Sequence, residues 1–256
     1  QVALLDREGG LVARVAVGDP LPEDRLHRGQ RAFFDARYCF QKAFSCTSCH
    51  PEAHTDGLTY DFEIDGVGKD VVLNRSLRGL KGTAPFKWSG INPDLPRQCG
   101  ARFAMVLTRA DLMPPPVLDD LAAWLLSLPP PRPLLDLRTA SPKEGAPIRR
   151  GRAIFERSRS KEGRRLRPSE RCITCHPPPH YTNRQRIDVG TRAPGDLRRA
   201  FDTPHLEGVG RKAPFLHDGR APTLRAIWKG TGNRHGHVSD LSEDDFEALV
   251  AFLRSL

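Results

Sequence analysis

The chain has 256 residues, 38% of them hydrophobic, so it can bury a real core and disorder is not its default. Lys and Arg exceed Asp and Glu by 40 to 31, a formal charge of +9 concentrated at 149–167. With no nucleic-acid motif beside it, that excess reads as a solvated basic face or a patch for an acidic protein partner, and no run of 18 apolar residues supplies a membrane-spanning helix.

In chain order, 1–17 ("QVALLDREGGLVARVAV") are two short apolar runs around Glu-Gly-Gly, a hairpin signal. A lone hairpin is marginal in water, so this one is expected to pack on the rest or to belong to a larger sheet. The opening lacks Met and a signal-like apolar stretch, which reads as a mature or excised segment. From residue 21 onward the elements come in two sets. An amphipathic helix carries "RGQRAFF" (28–34), followed by "CTSCH" (46–50), by "SLRGLKGTAPFKWSG" (76–90) and by a closing helix with "LAAWLLSL" (121–128). The stretch "PPPRPLLDLRTASPKEGAP" (129–147) reads as an extended, Pro-rich linker. The second set then repeats the first with "RGRAIF" (150–155), "CITCH" (172–176), "HLEGVGRKAPFLHDG" (205–219) and "LVAFLRSL" (249–256), the last helix announced by Ser242 and Glu243. The offsets of 122, 126, 129 and 128 define one unit of about 125 residues used twice. The expected boundaries are a hairpin segment at 1–20, a first domain at 21–130, the linker at 131–147 and a second domain at 148–256.

Two small, mostly helical domains with long Gly- and Pro-rich middles lack enough core of their own. Cys46-Thr-Ser-Cys49-His50 and Cys172-Ile-Thr-Cys175-His176 say what fills them, because C-x-x-C-H is the attachment sequence of c-type haem. Two thiols one helical turn apart reach the two vinyl groups of one porphyrin, and the adjacent His lies under the iron. A redox C-x-x-C needs no His and no repeat, and each copy has the wrong ligands for zinc. The expectation is two covalent haems c, with His50 and His176 as proximal ligands. Haem c is attached outside the cytoplasm, so a periplasmic or comparable space is expected, and Cys39 and Cys99 form an even remainder read as a bridge rather than two buried thiols.

The sixth iron position decides between electron transfer and small-ligand chemistry. In the second unit "GNRHGH" offers His235 and His237 before the last helix; His235 is preferred, giving a bis-His iron, while His217 reads as structural, facing a propionate. In the first unit Met105 and Met113 are the two methionines available, and an open or water-bound iron is the alternative.

Residues 28–256, and above all "TPHLEGVGRKAPFLHDGRAPTL" after the haem motifs, resemble the bacterial dihaem cytochrome c peroxidase and MauG superfamily. The resemblance implies a mainly α fold of two tandem class I cytochrome c-like domains with long loops, behind a short N-terminal β-hairpin. It implies that the N-terminal haem reacts with hydrogen peroxide, that the C-terminal haem stores an electron, and that Trp88 of "FKWSG" lies between them. The reductant would be a small cytochrome or cupredoxin, or an oxidisable side chain of a partner protein. The family's distal His is matched only by Lys69 of "GVGKD", and its distal Glu only loosely by Asp94 and Gln98. An interdomain calcium is implied around Asn74 and Pro214, with Lys212 where Thr is expected. A non-catalytic electron carrier with two six-coordinate haems is the competing reading. Residues 1–17 further resemble the end of a YVTN-type β-propeller blade, which would make the chain an electron-accepting module of a propeller fusion.

Overall fold

The computed structural model describes residues 2–18, 23–61, 67–101, 103–229 and 231–256, without the side chains of 106–108 and 232–233. It is mainly helical, with three separate two-stranded antiparallel hairpins. The first is β1 (Val2–Leu5) against β2 (Leu11–Val15). Every residue of these two strands except Ala13 is exposed, so the hairpin does not pack on the rest of the chain; its apolar pairs Val2–Val15 and Leu5–Leu11 face solvent.

Each half is built on a crossed helix pair. In the first, α1 (Arg25–Phe34) crosses α4 (Pro115–Ser127), burying Ala32, Phe33, Leu121 and Leu125. In the second, α5 (Pro142–Glu156) crosses α7 (Glu243–Arg254), burying Ile148, Phe155, Leu249 and Phe252. The repeated "RG" of the sequence explains the closeness of both crossings. A Cβ on Gly29 would overlap the Asp120 carbonyl, and a Cβ on Gly151 would overlap the Ala248 carbonyl. Backbone thus meets backbone at equivalent points, which only glycine allows.

The stretch read as an extended linker is helical from Pro142 onward. Helix α5 starts inside it, at Pro142, through a capping box in which the Ser141 hydroxyl takes the Glu144 N–H and the Glu144 carboxylate takes the Ser141 N–H. Upstream of it, the Leu134 and Leu135 N–H groups both donate to the Arg254 carbonyl, at 2.9 and 3.0 Å, and fasten the connector to the end of α7.

The middles of the two halves carry short α2 (Cys46–Cys49) and α6 (Cys172–Cys175), the hairpins β3–β4 (Thr59–Tyr60, Val72–Leu73) and β5–β6 (Arg186–Ile187, Phe201–Asp202), and α3 (Leu95–Cys99) in the first half. The two Ala-Pro-Phe loops have the same conformation: a cis Ala–Pro bond, a bridge from Phe86 to Asn92 or from Phe215 to Ala221, and a positive φ at Lys87 or Leu216. They also reach across to each other's half. Leu73 N–H donates to the His217 carbonyl at 2.6 Å, and Asp202 N–H donates to the Trp88 carbonyl at 2.8 Å. A buried carboxylate adds to the junction, since Asp70 accepts from Leu197 N–H at 2.8 Å and pairs with Arg198.

Candidate functional site

Two cavities, of about 460 and 380 Å³, open one in each half. Cys46, Cys49 and His50 line the first; Cys172, Cys175 and His176 line the second. Both motifs form a single helical turn that ends at the histidine, whose N–H donates back to the first cysteine's carbonyl. Each ring is then oriented by a loop carbonyl: His50 Nδ1 donates to His54 O at 3.0 Å, and His176 Nδ1 donates to Tyr181 O at 2.8 Å. A carbonyl can only accept, so the proton is on Nδ1 and the Nε2 lone pair is free for a metal. Burial lowers both imidazole pKa values and keeps the rings neutral, as ligation requires.

These residues fit haem c. The walls are apolar, with Phe33, Leu80, Leu121 and Leu125 on one cavity and Phe155, Leu224, Leu249 and Leu253 on the other. Buried polar atoms without a partner among the described residues also face them: Ser89 Oγ on the first, and Arg171 Nε, His217 Nδ1 and His235 Nδ1 on the second.

His235 lines the second cavity together with His176, and burial first, then the nearby His176, pulls its pKa to about 4. Its position is built by the backbone around it. Trp228 Nε1 donates to His235 O at 2.7 Å, and His237 N–H donates to Glu170 O at 2.8 Å, just ahead of Cys172. Between these ties Gly236 has φ +82°, and its Cα faces Cys172 Sγ, where a Cβ would be 3.4 Å away. His237 is turned to Asp240 instead, at 3.6 Å.

The first cavity has a different opposite wall. Asn92, Arg97, Gln98 and Met113 line it. The Asn92 amide donates to Gln98 Oε1, which leaves the Gln98 NH2 as the free end of that amide pair. Asp94 is spent as the cap of α3, accepting from Arg97 N–H at 2.7 Å. Met105 is 69% exposed and forms no part of this wall. Lys69 is exposed too; of the adjacent pair it is Asp70 that turns inward, because Arg198 compensates its charge, while a lone ammonium stays in water. His54 is engaged on both nitrogens, by Ser76 Oγ at 2.8 Å and Arg211 O at 2.9 Å. Cys39 and Cys99 also line the first cavity, near Cys46, as free thiols and not a disulfide, and burial pushes the Cys99 pKa up to about 12.

Leu73, Asn74, Arg75, Ser76, Trp88 and Phe201 line both cavities and so form their common wall. Trp88 Nε1 donates to Leu73 O at 2.8 Å, and the Arg75 guanidinium lies 5.0 Å from the indole centroid while pairing with Asp202 at 2.9 Å. His217, equivalent to Trp88 in the repeat, touches it: the rings are edge-to-face at 6.4 Å, and His217 stacks on Phe201 at 3.7 Å. Its Nε2 is 2.8 Å from Asp196 Oδ2. Sequence reasoning overlooked Arg75, Phe201 and Asp196. No local motif marks them; superposing the two repeats would have placed Phe201 beside the cavity through its counterpart Val72.

The charge around Asn74 weighs against a further cation there. The Asn74 amide nitrogen donates to Cys49 O and to Asp56 at 3.1 Å, and the Lys212 ammonium and Arg75 guanidinium line the same cavity. Among the described residues no cluster of three His, Cys, Asp or Glu side chains could hold a metal ion.

No protein-family model matches the chain. Hydrazine synthase subunit gamma of Kuenenia stuttgartiensis is 27% identical to it over 93% of this chain and 79% of that protein. A chain of the solved hydrazine synthase from the same organism superposes with a TM-score of 0.77 at 24% identity, covering 93% of this chain and 89% of that one. Methylamine utilization protein MauG of Methylorubrum extorquens is 28% identical over 93% of this chain and 79% of that protein. The dihaem peroxidase BthA of Burkholderia thailandensis shares the fold, with a TM-score of 0.57 at 17% identity over all of this chain and 90% of that one.

Proposed function

Because the chain belongs to the dihaem cytochrome c peroxidase, MauG and hydrazine synthase gamma family, we propose that it is a two-haem enzyme that takes hydrogen peroxide as oxidant in its first cavity. The second cavity holds the stored electron, and Trp88 connects the two. One observation carries this reading. His176 and His235 share the second cavity, whereas His50 shares the first with Asn92, Gln98, Arg97 and a single thioether.

When bound, haem c supplies an iron that exchanges single electrons and, where one axial position is free, admits a small ligand. The chain's own residues do the rest. His50 and His176 present Nε2, because their Nδ1 protons are committed to carbonyls. Gln98, oriented by Asn92, and Arg97 offer N–H donors to a small oxygen ligand in the first cavity. Reducing peroxide to two waters consumes two electrons and two protons. Neither amide titrates, so these side chains orient the ligand and solvent provides the protons. Reducing equivalents come from a small cytochrome or cupredoxin, or from an oxidisable side chain on a partner, in an extracytoplasmic compartment.

Met113 supports a second reading, a purely electron-transferring dihaem protein in which its thioether closes the first site. Absorption and electron paramagnetic resonance spectra of the holoprotein separate the two. The enzyme reading expects a high-spin or ligand-exchangeable first haem whose spectrum responds to hydrogen peroxide. It fails if no high-spin haem exists at any potential and peroxide leaves both the diferric and half-reduced spectra unchanged.

A further inference from the structure

The side chain of Lys212 enters the wall of the second cavity from the turn that follows Val209–Arg211. Its Nζ is 3.0 Å from Nε2 of His205, a ring only 5% exposed. Burial pulls the His205 pKa to about 2, so that ring is neutral and accepts from the ammonium. Nζ is also 3.4 Å from Nδ1 of the same ring, and among the described residues no carboxylate forms an ion pair with it. The carboxylates of the junction have cations of their own, Asp202 pairing with Arg75 through one oxygen and Glu207 with His180 at 2.8 Å, and Glu207 is still near enough to attract Lys212. Arg75, in the wall common to both cavities, is close enough to repel Lys212.

We propose that Lys212 is a tethered cation at the junction of the two halves, taking the place of the calcium ion that the family resemblance implies there and holding a carboxylate of the group seated in the second cavity. The proposal rests on the two-haem reading, since haem c brings the carboxylates. Three features support it independently of any titration. The ammonium lies in the wall of the second cavity, only partly exposed, with no carboxylate ion pair among the described residues. It is held against the His205 imidazole and not in an ion pair with a carboxylate. The cavity wall already carries a second cation, Arg75, close enough to repel Lys212, and that charge disfavours a divalent ion there. Burial, followed by repulsion from Arg75, lowers the Lys212 pKa to about 7, and an acceptor facing the ammonium would restore it upward. Lys212 acts as a positioning residue: it fixes the acidic edge of the cofactor and sets the local potential.

The test uses the holoprotein with Lys212→Met and Lys212→Arg. Pyridine haemochrome analysis first counts haems; fewer than two per chain refutes the two-haem reading and is distinguishable from failure of this proposal. Wild-type protein dialysed against calcium chloride is then analysed for metals, with iron expected and calcium absent. One tightly held calcium per chain overturns the proposal, and this measurement does not depend on any variant folding. In potentiometric titration, Lys212→Met is expected to lower the midpoint potential of the second haem, because a neighbouring positive charge favours the reduced form, and Lys212→Arg to restore it. A second-haem potential unchanged in Lys212→Met also overturns it.

Discussion

Replacing Trp88 by phenylalanine separates two roles that the indole plays at once. Phenylalanine keeps a ring in the common wall but removes the Nε1–H that donates to Leu73 O, and Leu73 is only 6% exposed. A buried carbonyl deprived of its donor costs about 1–3 kcal/mol. The Arg75 guanidinium, 5.0 Å from the indole centroid, stacks less favourably on a smaller ring, a further loss of about 0.5 kcal/mol. The sum is about 2 kcal/mol, and the loss is centred on β4, whose Leu73 N–H also holds the opposite loop through His217 O. Equilibrium denaturation of the holoprotein, followed by haem absorption and by far-ultraviolet circular dichroism, measures it. Inter-haem electron transfer after flash reduction, recorded under conditions where the variant is fully folded, is expected to slow. A variant as stable as wild type would refute the hydrogen-bond account of the wall, and an unchanged transfer rate in a correctly folded variant would remove Trp88 from the path.

Gly151→Ala is expected to destabilise despite alanine's better helix propensity. The new Cβ would overlap the Ala248 carbonyl and lie 2.8 Å from Phe252 Cβ, so α5 and α7 must separate. Overpacking costs about 1–3 kcal/mol against a propensity gain of about 1 kcal/mol, and a fall in Tm of a few degrees checks it; a raised Tm would contradict the crossing. Asp245→Asn tests an acid-sensitive tie. The Lys161 ammonium, with Ser242 and Arg150, holds the Asp245 carboxyl at about 2, below its ordinary 3.8. A depressed carboxylate stabilises above its unfolded pKa and loses that contribution as pH falls through the folded one. Wild type should therefore lose about 1 kcal/mol between about pH 4 and about pH 2 that Asp245→Asn does not, the figure reduced because Lys161 and Arg150 are half exposed. Parallel urea-unfolding curves of the two proteins across that range would show the tie to be inert.

The repeat, the attachment motifs and the closing helices were legible because each is local: two cysteines one turn apart, a Gly at a helix crossing, a Ser-Glu start before an apolar stripe. The failures also have local causes. Counting prolines hid the Ser141–Glu144 capping box, where Pro142 is a helix-starting residue and not a breaker. Matching Lys69 to the family's distal histidine took no account of its neighbour, since only Asp70 has a cation, Arg198, waiting in the other half. Cys39 and Cys99 were paired by arithmetic, which carries no geometry. The common wall was the least legible part. Arg75 meets Asp202 across 127 positions, and a pairing at that range leaves no pattern in either segment.

The geometry of the two Ala-Pro-Phe loops explains why a duplicated frame would change one aromatic and keep the rest. Each loop gives its carbonyl to the other half's strand, Trp88 O to Asp202 and His217 O to Leu73, so the two loops are related by a reciprocal exchange. Equivalent residues in such an arrangement approach each other only near its centre. Trp88 and His217 do so, with ring centroids 6.4 Å apart. Farther from the centre, a substitution alters one cavity alone. At this position it alters the wall between both, and two identical residues would present the same chemistry to each side. An indole that donates its one N–H to Leu73 O leaves an uninterrupted π surface in the common wall, whereas an imidazole bound to Asp196 adds a polar edge to the second cavity. The departure from symmetry therefore lies where a single residue can set the two cavities to different tasks.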